Sequence, residues 1–191
     1  MPIVSERLIL RPFSPDDLDA FAAINADPEV MRHFAARRTR AETAEMIEAL
    51  ERRRREDGLA FSAAIETASG RLVGMIGLQR VTADMPFAPT VEVGWRLARD
   101  VWGRGYASEG ARAAIADGFD RFGLPEIVAF TRPDNLRSRA VMERLGMRRD
   151  PTEDFDHPKL AADHPMRRHV LYRLSRPARC DGAVGPRPDL Q

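Results

Sequence analysis

Glu92 lies in the segment VEVGWRL (Val91–Leu97), flanked by Val91 and Val93. Alternation of this kind predicts a strand on which Glu92 faces away from the two valines. A carboxylate so placed is a candidate to take a proton from an attacking amine. It equally fits a strand glutamate that faces solvent or pairs with arginine. Beyond the strand, Gly103, Gly105 and Ala107 occupy alternate positions just before an alanine-rich run. The first N–H groups of a helix lack partners, and the macrodipole puts about half a positive charge there. Glycines let an anion approach that backbone without meeting a Cβ, and Arg104 adds a mobile charge. Alone, the motif also fits a tight turn that holds nothing. Farther on, NLRSRAVMERLG places Asn135 at a helix start and Ser138 one turn in.

These residues need a frame. RLILRPF (Arg7–Phe13) reads as a strand ended by proline. SPDDLDAFAAINAD opens a helix, with Ser14 as N-cap, Pro15 at the first helical position and Asp17 completing a capping-box pattern. A second helix starts near Thr39, with Glu42 as capping-box partner, and runs to about Asp57 before Gly58. LAFSAAIE and RLVGMIGLQRV form a hairpin through TASG. The loop VTADMPFAPT leads to Val91–Leu97. A helix to Phe122, a strand at Glu126–Thr131, a helix at Asn135–Gly146 and a last strand at His169–Leu174 follow. That order predicts a mixed α/β sheet, mostly antiparallel in its first half, and not the regular alternation of a dinucleotide fold.

The 191 residues fit one domain over residues 1–176, followed by the Pro-, Gly- and Arg-rich stretch 177–191, expected to be a flexible tail. A net charge of +1 provides no global field for nucleic acid or anionic membrane. No apolar run approaches the ~20 residues of a membrane span, and no signal-peptide block opens the chain. The single cysteine, Cys180, has no internal partner, which points to a reducing cytoplasm. His157, His164 and His169 lack short metal-ligand spacing, so no metal is expected. His157-Pro158 and His164-Pro165 read as turns in a substrate-side loop. Arg52–Arg55 reads as a solvated helix end, or as a dock for an acidic peptide or RNA. Trp95 and Trp102 bracket the glycine turn, either packing in the core or stacking on a base.

There is no Gly-Lys-Ser/Thr and no third glycine at dinucleotide spacing, so neither a P-loop nor a Rossmann fingerprint applies. Four stretches together resemble the GNAT superfamily of acyl-CoA-dependent N-acetyltransferases. They are SERLILRPFSPDDLDAF with DPEVMRHF, then VEVGWRL, VWGRGYASEGARAAI and DNLRSRAVMERLGM. The combination is most similar to the branch containing the ribosomal-protein-alanine N-acetyltransferases. The resemblance implies a GNAT-type α/β fold whose two central strands, Val91–Leu97 and Glu126–Arg132, splay apart. Acetyl-CoA would enter that gap. Its pyrophosphate would take the backbone amides of Gly103, Arg104, Gly105, Tyr106 and Ala107, with Ser108 beside them. Its pantetheine arm would pair with the strand edge at Trp95, Arg96 and Leu97. Asn135 would bond the pantetheine or thioester, and Ser138 would sit near the sulfur.

The chemistry so implied is direct attack of a primary amine on the thioester in a ternary complex. Glu92 is the expected base. An N-terminal amine, with a pKa near 8, asks little of it. Many family members carry a tyrosine acid seven residues after the asparagine; here the residue is Met142, and Ser138 is the expected substitute. That replacement also admits a second reading, a non-catalytic acyl-CoA-binding or sensing module. Protein N-terminus, aminoglycoside, polyamine and amino acid all stay open as acceptors, and a homodimer is compatible with the sequence.

Overall fold

Local signals set the helices. The computed structural model describes residues 1–177. After two short strands, β1 (Ile3–Val4) and β2 (Leu8–Arg11), the chain enters a 3-10 turn at Pro15–Asp17 and helix α1 (Leu18–Ala26). The Asp17 carboxylate accepts from the Ser14 backbone N–H (2.7 Å) and hydroxyl (3.0 Å), as its spacing predicts. Helix α2 (Arg40–Asp57) begins at the N-cap Thr39, whose hydroxyl and Glu42 satisfy each other's backbone N–H groups. It stops at Gly58, where φ is +79°.

The hairpin β3 (Phe61–Glu66) and β4 (Leu72–Arg80) follows, then β5 (Val91–Leu97), helix α3 (Tyr106–Arg121), β6 (Glu126–Thr131) and helix α4 (Leu136–Arg144). The chain then adds β7 (Arg148–Arg149), β8 (Phe155–Asp156) and β9 (Arg168–Ser175). The sheet runs β1-β2-β3-β4-β5-β6-β9-β7, with β8 also on β9. Every neighbouring pair is antiparallel except β5–β6. Strands β1, β7 and β8 are absent from the sequence-based expectation. Each has two residues and exists only through a distant partner, as Ile3 with Leu10 or Phe155 with His169. The expected tail 177–191, like Cys180, falls almost wholly outside the described residues.

Each face of the sheet has its own core. On one face, Leu8, Val73, Ile76, Val91, Val93 and Leu97 pack under Ala111, Ala114, Ile115 and Phe119 of α3. Met142 of α4 joins this cluster. On the other, Ala63, Ile65 and Met75 pack under Phe21 and Ile24 of α1 and Leu50 of α2. Burying one such aliphatic side chain contributes roughly 1.5–3 kcal/mol. Over β6 and β9 no helix among the described residues covers that second face. Met85, Val128, Phe155 and Leu171 fill it, with Phe87 and Phe130 against them.

Candidate active site

The seam between β5 and β6 defines the site. Strand β4 pairs with all seven residues of β5, from Val91 to Leu97. Strand β6 pairs with β9 from Glu126 to Thr131. Between β5 and β6 the only pair is Glu92 with Val128. From that vertex the strands diverge, leaving a wedge whose β5 wall carries a free backbone edge. On β5 the odd residues pack toward α3 and the even residues Glu92, Gly94 and Arg96 face the α1/α2 side.

At the open end of the wedge, β5 leads through a 3-10 turn (Arg99–Val101) to the glycine turn. Gly103 has φ +75° and Gly105, the N-cap of α3, has φ +85°. Both sit in the left-handed region, which a Cβ penalises. The glycines therefore serve backbone conformation as well as access. A Cβ at Gly103 would meet nothing within 4 Å, so the space above it is open. Tyr106, Ala107 and Ser108 supply the first N–H groups of α3. The turn is braced from below. Arg7 donates through Nε to Glu109 Oε2 (2.7 Å) and through Nη1 to the Arg104 carbonyl (3.0 Å), and its guanidinium lies 4.7 Å from the Tyr106 ring centroid. The Tyr106 hydroxyl donates to Glu66 Oε1 at 2.5 Å. This open cradle fits a diphosphate.

Other residues named from sequence fall around the wedge. Trp95 is half-buried against the α3 core. Trp102 packs between both cores and donates its indole N–H to the Leu97 carbonyl at 2.9 Å. Arg96 is buried toward α1, donating to Asn25 Oδ1 at 2.7 Å, with its guanidinium over the Phe34 ring. Burial, reinforced by Arg38, lowers its pKa to about 10. Asn135 caps α4: its Oδ1 accepts from the Ser138 backbone N–H (3.3 Å). Its amide donates to Thr131 Oγ1 (2.9 Å) and Ser138 Oγ (3.1 Å). Ser138 Oγ thus accepts a bond while its own proton is donated to nothing among the described residues. Met142 is buried in the α3 core.

At the vertex Glu92 borders a cavity of about 200 Å³. Directly across the β4–β5 ladder is Gln79, which donates Nε2 to Glu92 Oε1 at 2.6 Å. Arg53 Nη1 donates to Gln79 Oε1 at 3.1 Å. Arginine has no acceptor, so this contact fixes the amide with its NH2 toward Glu92. Burial pushes the Glu92 carboxyl up to about 7, against the opposing pull of the Gln79 bond and the charges of Arg53 and Lys159. Gln79, Arg53 and Lys159 are not among the site residues expected from sequence. Gln79 was accessible to it: if the ten-residue loop after β4 closes symmetrically, Gln79 must oppose Glu92. In sequence Arg52–Arg55 reads as a solvated helix end or a dock for an acidic peptide or RNA; in the structure Arg53 lines the cavity, and Arg54 ties the end of α2 to the Phe61 carbonyl at 2.9 Å.

His157 also lines the cavity, and its ring lies 5.2 Å from that of His169. Among the described residues no cluster of three His, Cys, Asp or Glu side chains could hold a metal. No helix there is long and apolar enough to cross a membrane.

Residues 7–148 match the family model for the acetyltransferase (GNAT) domain. The chain belongs to the GNAT acetyltransferase family. The GNAT domain is mixed α/β, mostly antiparallel with one parallel pair, and family members are N-acetyltransferases that use acetyl-CoA as co-substrate. Across 74% of its length the chain is 32% identical to the FsC-acetyl coenzyme A-N(2)-transacetylase of Aspergillus fumigatus, covering 62% of that protein. A GNAT-family acetyltransferase from Bacillus anthracis superposes with a TM-score of 0.76 at 27% identity, covering 92% of this chain and 98% of that one. The ribosomal-protein-S5-alanine acetyltransferase of Vibrio fischeri shares the fold, with a TM-score of 0.74 at 16% identity over 93% of this chain and 98% of that one.

Proposed function

We propose that this GNAT enzyme transfers the acetyl group of acetyl-CoA directly to a primary amine, a protein N-terminal amine among the candidates, with Glu92 as the general base. One observation carries this reading. A single carboxylate sits at the vertex of the wedge, beside a cavity, with a pKa raised to about 7. A base poised near the working pH can both accept and release a proton.

Acetyl-CoA supplies an activated acyl thioester. Gly103 to Ser108 hold its pyrophosphate, and the edge of β5 at Trp95–Leu97 takes its pantetheine arm. Of the Leu97 groups, the carbonyl already accepts the Trp102 indole, so its N–H is the group left to that edge. Glu92 takes the proton of the acceptor nitrogen as the C–N bond forms and the C–S bond breaks. The thiolate leaves toward Ser138, whose hydroxyl donates a hydrogen bond to it, and solvent completes the protonation. Asn135 orients Ser138 by donating to its Oγ. Met142, sealed in the core, takes no part. The rate then comes mainly from positioning and proton removal.

The test is release of free thiol from acetyl-CoA in the presence of an amine panel. Thiol release that amines accelerate supports the reading. Tight coenzyme A binding with release that no amine accelerates overturns it in favour of an acyl-CoA-sensing module.

A further inference from the structure

Resting on the assignment of Glu92 as base, we infer that the cavity beside it selects an acceptor whose amine is accompanied by a carboxylate, and rejects polycations such as polyamines and aminoglycosides. The cavity brings together Glu92, Arg53, Lys159, His157, Met85 and Phe130. Its charged groups come from three separate parts of the chain: the last turns of α2, the segment after β8, and β5 itself.

The charge balance decides the matter. Among the described residues Arg53 makes no ion pair; its one hydrogen bond goes to the neutral amide of Gln79. Lys159 is 3.7 Å from Asp84, in a pair whose side chains are 57% and 41% exposed. Such exposed pairs contribute little and leave the ammonium free to meet another anion. Burial, helped by Lys159, lowers the pKa of His157 and disfavours its charged form. Of the anions, Glu92 is the base that the amine itself engages, so it offers no second site for a further positive charge. The lining therefore presents two cations, Arg53 and Lys159, against one carboxyl, Glu92, while Asp84 meets Lys159 from outside the lining. A polycation with no counter-charge meets more positive than negative charge in that lining. An amine that carries a carboxylate places it on Arg53, whose remaining N–H groups match a carboxylate fork.

Size points the same way. The cavity of about 200 Å³ is small and partly open to solvent. That accommodates an amine, a carboxylate and a few carbons against Met85 and Phe130. A free amino acid and the acidic N-terminus of a peptide present the same chemistry at this depth.

The experiment measures kcat and KM by thiol release for glutamate, its fully amidated form (glutamine α-amide, which has no carboxylate), C-terminally amidated peptides with N-terminal Glu or Gln, and spermidine. The carboxylate member of each pair is expected to have at least tenfold higher kcat/KM than its amide, mostly through KM, with the preference shrinking as salt rises. The free amino acids and the peptides separate the two sources. Lys159→Glu lies at an exposed position that leaves folding untouched, and is expected to erase the preference. Arg53→Gln should cut kcat/KM for the carboxylate acceptor about tenfold more than for the amide. Equal turnover of acid and amide, or preference for spermidine, overturns the inference even where turnover is high. Loss of the base assignment shows differently: Glu92→Gln would then turn over every acceptor normally, whatever its charge.

Discussion

Glu92 and Gly105 carry the sharpest predictions at the scale of single residues. A carboxyl with a pKa near 7 is an effective base only above that pH. Wild-type kcat/KM is expected to rise through about pH 7, and Glu92→Gln to flatten that limb and lower turnover about 10²-fold or more. The sequence alone suggests that this loss is clearest at low pH, where the acceptor is ammonium. Burial moves it to about pH 7–8, because below 7 the wild type also has its base protonated. A pH–rate series on both proteins checks the sign. Gly105→Val places a β-branched residue at φ +85° and crowds Arg7 Nη2, 3.4 Å from the added Cβ. It is expected to abolish coenzyme A binding by isothermal titration while Glu92→Gln binds coenzyme A normally. At this scale the sequence was informative where one residue defines its own geometry, as at Gly103 and Gly105. It was silent on Arg53, because four consecutive arginines occupy every face of a helix and none is distinguished until the helix is laid across the sheet.

Elements depend on positions that tolerate no side chain. Gly74 of β4 opposes Leu97, with φ +146°, and a Cβ there would lie 2.2 Å from the Arg96 carbonyl oxygen. That contact is backbone, so no rotamer relieves it. Gly74→Ala is expected to lower stability by about 2–4 kcal/mol, combining strain and overpacking. Chemical denaturation measures it, and the shift of β5 should weaken coenzyme A binding too. At the N-cap of α2, Thr39→Ala should cost about 1 kcal/mol by the same assay with acyl transfer unchanged. These two positions show why helices were more legible than the sheet. The start and stop of α2 are written within four residues of each end, as Thr39, Glu42 and Gly58. Strands β7 and β8 are written nowhere locally: Arg148 extends because Arg173 lies beside it, and Phe155 because His169 does.

For the whole molecule, the buried carboxyl links stability to pH. Unfolded, Glu92 titrates near 4.5; folded, near 7. Between these values the native state holds the proton more tightly, so stability falls as pH rises, and the penalty is complete above about pH 7. At 1.36 kcal/mol per unit it reaches at most about 3 kcal/mol. Glu92→Gln is therefore expected to match the wild type in urea midpoint near pH 4.5 and to exceed it at pH 8.

The single residue pair joining β5 to β6 also has a mechanical meaning. Five strands stand on one side of it and four on the other, bound together chiefly by α3, α4 and the packed side chains beneath them. Opening of the native chain should begin along this line, and the amides of Trp95 and Leu97, which point away from β4, should exchange with solvent faster than those of β3 and β4. A ligand arm lying in the gap would act as a tenth strand and close it. Saturation with acetyl-CoA should then slow exchange on both banks at once and add about 2.7 kcal/mol of stability at a hundredfold excess over Kd. The enzyme would be most rigid while loaded, and loosest just after its product departs.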